Sequence, residues 1–106
     1  MQGFSTRAIH AGQVPDPTTG AVTTSIHTSS TYAQDGVGGT RGGYEYSRSA
    51  NPTRTVLQDQ LAALEGGRHA HAFGSGMGAT DTLLRILLKP GDHLVIPHDA
   101  YGGTFR

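Results

Sequence analysis

The chain has 106 residues with eight basic and eight acidic side chains, a formal net charge of zero and no cysteine. That balance gives no electrostatic reason to expect nucleic acid or an anionic membrane as a partner. The missing cysteines exclude a disulfide framework and a thiolate metal site, and leave the redox compartment open. No apolar run approaches the roughly 18 residues of a spanning helix, and the N-terminus lacks a basic-then-apolar leader, so cytoplasm is the default expectation. A chain of this size is long enough for one small domain that buries roughly two-thirds of its unfolded surface. Its 16 glycines are about twice the usual share. They cluster between Gly36 and Gly43 and between Gly74 and Gly78, as turns and ligand loops require.

Residues 1–50 are rich in Thr, Ser, Gly and Pro and show no sustained helical or alternating pattern. They are either a disordered arm or a segment laid over another surface, with Ile9, Val22, Ile26 and Tyr32 as spaced apolar anchors. Asn51-Pro52-Thr53 is a helix-start signal. In the run that follows, Leu57, Leu61 and Leu64 share one face, and Gly66-Gly67 closes it as a C-cap. Residues 68–73, "RHAHAF", suit a short strand. Residues 77–88 predict a second helix with Leu83, Leu84, Leu87 and Leu88 as its buried face, stopped by "PGD". "HLVIP" is the next strand.

Helix, strand, helix, strand describes an α/β unit with a parallel pair, whose ligands collect at the carboxyl ends of the strands. The glycine loop "FGSGMG" follows one strand and "HDAYGG" the other, which makes Tyr101 a candidate site residue. One or two parallel strands make little core, so the chain reads as a fragment of a longer protein.

The glycine loop opens into a helix, whose first N–H groups and dipole suit a phosphate. Gly76 lets an anion approach, and Ser75 can add a hydroxyl. Gly74-x-Gly76-x-x-Ala79 also satisfies the dinucleotide fingerprint, with Asp99 about 20 residues further on. Two features weigh against a dinucleotide. The preceding strand carries Arg68, His69 and His71 instead of a buried apolar run, and about 70 residues come first where that fold begins near its loop. In "YEYSRSANPTR", an extended backbone would send Tyr46 and Arg48 to the same side, a phenol and a guanidinium aimed at one phosphate. His69 and His71 could face one way as a metal pair, but no cysteine or nearby carboxylate completes a set, and no metal is assigned.

Together "STRAIHAG", "YEYSRSANPTR", "LAALEGG", "FGSGMGATDTLL" and "KPGDHLVIPHDAYGGTFR" resemble the cystathionine γ-synthase/γ-lyase type of the Cys/Met-metabolism family, fold-type I enzymes dependent on pyridoxal 5'-phosphate (PLP). The motifs cover nearly the whole chain in order. The resemblance implies an α/β fold: residues 1–50 an N-terminal arm with a cofactor clamp, residues 51–106 the start of an aspartate aminotransferase-like large domain. It implies a homotetramer of dimers that share active sites. Tyr46 and Arg48 would hold the PLP phosphate of a neighbouring subunit, while Gly76 and Met77 would offer amides to the phosphate of their own. Tyr101 would stack on the pyridine ring and help handle the proton near the substrate amine. Arg106 would meet the distal carboxylate of an amino-acid substrate, with Glu45 lining that side.

The chemistry implied is trans-sulfuration at the γ-carbon of cystathionine or an O-acylhomoserine. Methionine γ-lyase and O-acylhomoserine sulfhydrylase of the same family are alternatives, the first favoured by Gly78 and opposed by Gly103 and Arg106. A non-catalytic phosphate-binding module and an NAD-dependent Rossmann protein are readings of another class. Lys89, the only lysine, stands outside the family's Schiff-base motif. The catalytic lysine and the acid facing the pyridine nitrogen are expected downstream.

Overall fold

The computed structural model describes residues 3–106, and the structural statements that follow concern those residues. They form four helices: α1 (Phe4–His10), α2 (Pro52–Glu65), α3 (Gly76–Leu87) and α4 (Gly102–Phe105). Two compact units are present, one up to His71 and one from Ala72 to Arg106.

Helix α2 begins and ends where its punctuation requires. Asn51 is extended, and its side-chain oxygen accepts the Thr53 N–H at 2.9 Å, a capping bond of about 1 kcal/mol. Pro52 occupies the first turn, where its missing N–H costs nothing. At the far end Gly66 turns left-handed (φ 70°), and the Gly67 N–H closes on the Ala62 carbonyl at 2.9 Å.

The arm is more ordered than its composition suggests. Helix α1 has no side-chain cap, but Arg7 and His10 in its last turn complement the negative end of its dipole. It packs on α2, where Gln60 donates from Nε2 to the Ala8 carbonyl at 2.5 Å. The chain leaves α1 through Gly12 at φ 69°, where a Cβ would lie 2.8 Å from the Gln60 backbone nitrogen. Only glycine permits both that conformation and that approach.

Residues 29–47 double back on themselves through three isolated antiparallel bridges, Thr31 to Tyr46, Gln34 to Thr40 and Arg41 to Tyr44. The Tyr32 and Tyr44 rings meet with centroids 5.6 Å apart, and Arg41 grips the Asp35 carboxylate with two nitrogens at 3.0 and 2.5 Å. That guanidinium holds the Asp35 carboxyl below its ordinary pKa. Asp16 is lowered too, first by the Thr19 N–H, then by the Thr19 hydroxyl and the Thr18 N–H. Because folding lowers both values, these carboxylates support their turns at neutral pH and lose that support as pH falls through the lowered values. Carboxyl-carbon NMR titration should give both residues midpoints below that of an ordinary aspartate. Arg41→Gln should restore the midpoint of Asp35 and leave that of Asp16 in place.

Two expectations change. Residues 68–73 and 93–97 join no strand ladder, and the isolated bridges are the only β contacts among the described residues. A parallel strand exists only through hydrogen bonds to a neighbour, and an apolar pattern cannot supply one. The predicted apolar stripes also lie open: Leu57, Leu61, Leu83 and Leu87 are exposed, as are Ile9, Val22 and Ile26, and Ala62 is the one buried hydrophobic residue. These apolar faces have too little of their own polypeptide to pack against. No helix among the described residues is long and apolar enough to cross a membrane.

Candidate functional site

Helix α3 starts one residue earlier than its glycine pattern suggests, at Gly76, with Ser75 as an extended N-cap. Ser75 Oγ accepts the Gly78 N–H at 3.0 Å, and the Ser75 carbonyl accepts the Ala79 N–H at 3.1 Å. That leaves the N–H groups of Gly76 and Met77 without an intrahelical partner, at the positive end of the dipole. The Ser75 hydroxyl, already an acceptor, still has its proton to donate. A Cβ at Gly76 would meet nothing within 4 Å, so the approach to these donors is open.

The donors face a cavity of about 420 Å³ lined by Ser75, Gly76, Met77, Thr80, Tyr101 and Thr104. That is within the size range of small-molecule sites. Helix α4 builds the opposite wall: the Thr104 N–H bonds the Tyr101 carbonyl at 2.8 Å, and Thr104 Oγ1 reaches Met77 Sδ at 3.8 Å. No acidic side chain lines the cavity, so an anion there meets dipoles, hydroxyls and a phenol without like-charge repulsion. Tyr101 is 70% exposed, its ring free to cover a flat ligand.

Tyr46 and Arg48 belong to the first unit. The backbone there is a turn, not the extended segment the sequence suggests: the Ser49 and Ala50 N–H groups both bond the Tyr46 carbonyl at 3.0 Å. The turn still brings the pair together, with the Arg48 guanidinium carbon 5.2 Å from the centroid of the Tyr46 ring. Two residues to which the sequence assigned no part in the clamp hold it. Arg54 donates to the Arg48 and Ser49 carbonyls at 3.3 and 2.6 Å. Asn51 Nδ2 lies within hydrogen-bond reach of Ser47 Oγ, the His27 carbonyl and the Tyr32 hydroxyl, at 3.1, 3.1 and 3.3 Å. Asn51 was legible only as a cap, because two of its other partners, His27 and Tyr32, are 24 and 19 residues away.

The remaining candidates are not among the lining residues. Glu45 is exposed, and its carbonyl accepts the Tyr32 N–H at 3.1 Å. Arg106 is exposed and does not line the cavity. Lys89 is exposed beyond the end of α3, its backbone N–H donating to the Asp92 carboxylate at 2.8 Å. Thr80 and Thr104 join the lining without having been singled out, and nothing in the local pattern marked either. Asp99, the acid of the dinucleotide pattern, is exposed and does not line the cavity either.

The model of the family described as Cys/Met metabolism PLP-dependent enzyme matches residues 5–106. The chain belongs to that family. The chain is 65% identical over its full length to cystathionine gamma-synthase of Mycobacterium tuberculosis strain H37Rv, of which it spans 27%. It is 59% identical to cystathionine beta-lyase of Coxiella burnetii over 97% of the chain and 26% of that relative. Its fold superposes on the crystal structure of metB from Corynebacterium glutamicum with a TM-score of 0.93 at 55% identity, covering the whole chain and 28% of the other. The chain thus spans about a quarter of the length of the relatives it matches. The family is PLP-dependent, which weighs against the dinucleotide reading of the glycine loop.

Proposed function

We propose that the full-length protein carrying this chain is a PLP-dependent trans-sulfuration enzyme acting at the γ-carbon of cystathionine or an O-acylhomoserine. The observation that carries the reading is the start of α3: two unpartnered amides, a hydroxyl and an open glycine beside a cavity walled by Tyr101, in a chain of this family. The donor set fits a phosphate monoester. It offers N–H and O–H donors at a positive helix end, and the lining holds no carboxylate.

In this reading the Gly76 and Met77 amides and the Ser75 hydroxyl bind the phosphate and fix the cofactor's orientation. Tyr46 and Arg48 reach the phosphate of a neighbouring subunit in a homotetramer, where the guanidinium binds two oxygens at once. The Tyr101 ring covers the pyridine face, excludes water from it, and places its phenol to hold a proton near the substrate amine. Arg106 answers the distal carboxylate, and Glu45 lines that side. Bound PLP supplies the electron sink for carbanion chemistry at the substrate. Cystathionine as the substrate class is supported by the names of relatives at 65% and 59% identity, a cystathionine gamma-synthase and a cystathionine beta-lyase, and the γ-carbon by the first of them. A cytoplasmic location accords with this metabolic role.

Full-length protein reconstituted with PLP should turn over cystathionine, or join cysteine to an O-acylhomoserine, with 2-oxobutyrate or cystathionine as the product. Pyruvate as the sole keto-acid product would show β-carbon chemistry and contradict the γ-carbon assignment. No turnover of either substrate would contradict the function.

A further inference from the structure

We propose that Gly103 is a positioning residue for Tyr101: its missing side chain sets where the aromatic ring lies, and so how the ring covers the cavity at the start of α3. The inference rests on the proposed role of Tyr101 and goes beyond it to the residue that makes the ring's pose possible.

The ring folds back over the first turn of α4. A Cβ built on Gly103 would lie 3.0 Å from Tyr101 Cδ1, 3.1 Å from Cζ, and closer still to Cε1. Real Cβ atoms do not make such contacts, so even alanine at 103 must move something. The backbone offers little give, because the Thr104 N–H bonds the Tyr101 carbonyl at 2.8 Å and the Arg106 N–H bonds the Gly103 carbonyl at 3.3 Å. The ring is the part that yields: it is 70% exposed and turns about its own side-chain torsions. Gly103 has no positive φ, so glycine is not needed there for backbone conformation. Gly102 next to it has nothing within 4 Å of a built Cβ. Of these two adjacent glycines, only Gly103 is required by the ring, which makes Gly102→Ala the natural control.

The test uses the full-length protein, with ring position and PLP affinity read separately. Crystal structures of cofactor-free wild type and Gly103→Ala should show the ring displaced in the variant, and Gly102→Ala should leave it in place. PLP titration should show Gly103→Ala binding about three- to tenfold more weakly, the worth of one aromatic contact. In a Tyr101→Ala background the Gly103→Ala change should have no further effect, because there is no ring left to displace. Gly103→Ser provides the same test if the alanine variant does not fold. An unmoved ring overturns the proposal, as does an affinity loss that persists undiminished without the Tyr101 ring. A wild-type protein that binds no PLP would overturn the proposed function instead, while the ring displacement would remain readable in the cofactor-free crystals.

Discussion

Arg48→Ala in the full-length protein is expected to weaken PLP binding by about 100-fold or more, the loss of two charge-assisted bonds at roughly 1.5–3 kcal/mol each. The guanidinium lies against the Tyr46 ring, 5.2 Å from its centroid, and the turn beneath it is pinned by Arg54 and Asn51, so its position is set before a phosphate arrives. Preorganisation of that kind removes part of the entropic cost of binding. Arg48→Lys should recover only part of the affinity, since an ammonium carries the charge without the planar fork. Tyr46→Phe should cost less than either, because it keeps the ring beneath the guanidinium and gives up a single hydroxyl. Equilibrium titration of cofactor-free protein with PLP, followed by visible absorbance, checks the series. An Arg48→Ala affinity equal to that of wild type would remove the clamp from the mechanism.

Asn51→Ala is expected to destabilise the segment around the clamp by about 2–3 kcal/mol, combining a lost helix cap with lost side-chain donors. Its oxygen caps α2 at Thr53, and its Nδ2 faces Ser47, the His27 carbonyl and the Tyr32 hydroxyl, so one amide joins the helix start to three other segments. Asn51→Asp keeps the capping oxygen and removes the donor, so it should fall between wild type and alanine. Hydrogen exchange read by mass spectrometry should show faster exchange over residues 25–32 and 46–56 in both variants. Residues 76–88 should be unaffected. Because Asn51 acts on the clamp only through the turn, its effect on PLP affinity should be smaller than that of Arg48→Ala.

What the sequence made legible was local. The cap and stop of α2 were readable because Asn51-Pro52 and Gly66-Gly67 act within a few residues of themselves. The helix start after the glycine loop was readable for the same reason, and α3 begins one residue earlier than the pattern suggests because Ser75 takes the cap. Helix α1 escaped notice because it has seven residues, no side-chain cap and no repeat long enough to show a period. The turn after Tyr46 was mistaken for extended chain because the hydrogen bonds that bend it use backbone carbonyls, and the staples from Arg54 and Asn51 add no local signature. The apolar stripe of α3 was read correctly as apolar but not as buried, since burial depends on a second surface and a stripe encodes only its own face. The role of Gly103 was invisible for a similar reason, because it depends on where the Tyr101 ring comes to rest.

The central claim is that the start of α3 is a phosphate cup, and removing the phosphate from the ligand tests it directly. Cofactor-free full-length protein should bind PLP with a saturating visible band and bind pyridoxal, which lacks the phosphate, at least about 100-fold more weakly. Inorganic phosphate should compete with PLP. Equal affinity for PLP and pyridoxal, or a protein that stays colourless with PLP, would contradict it.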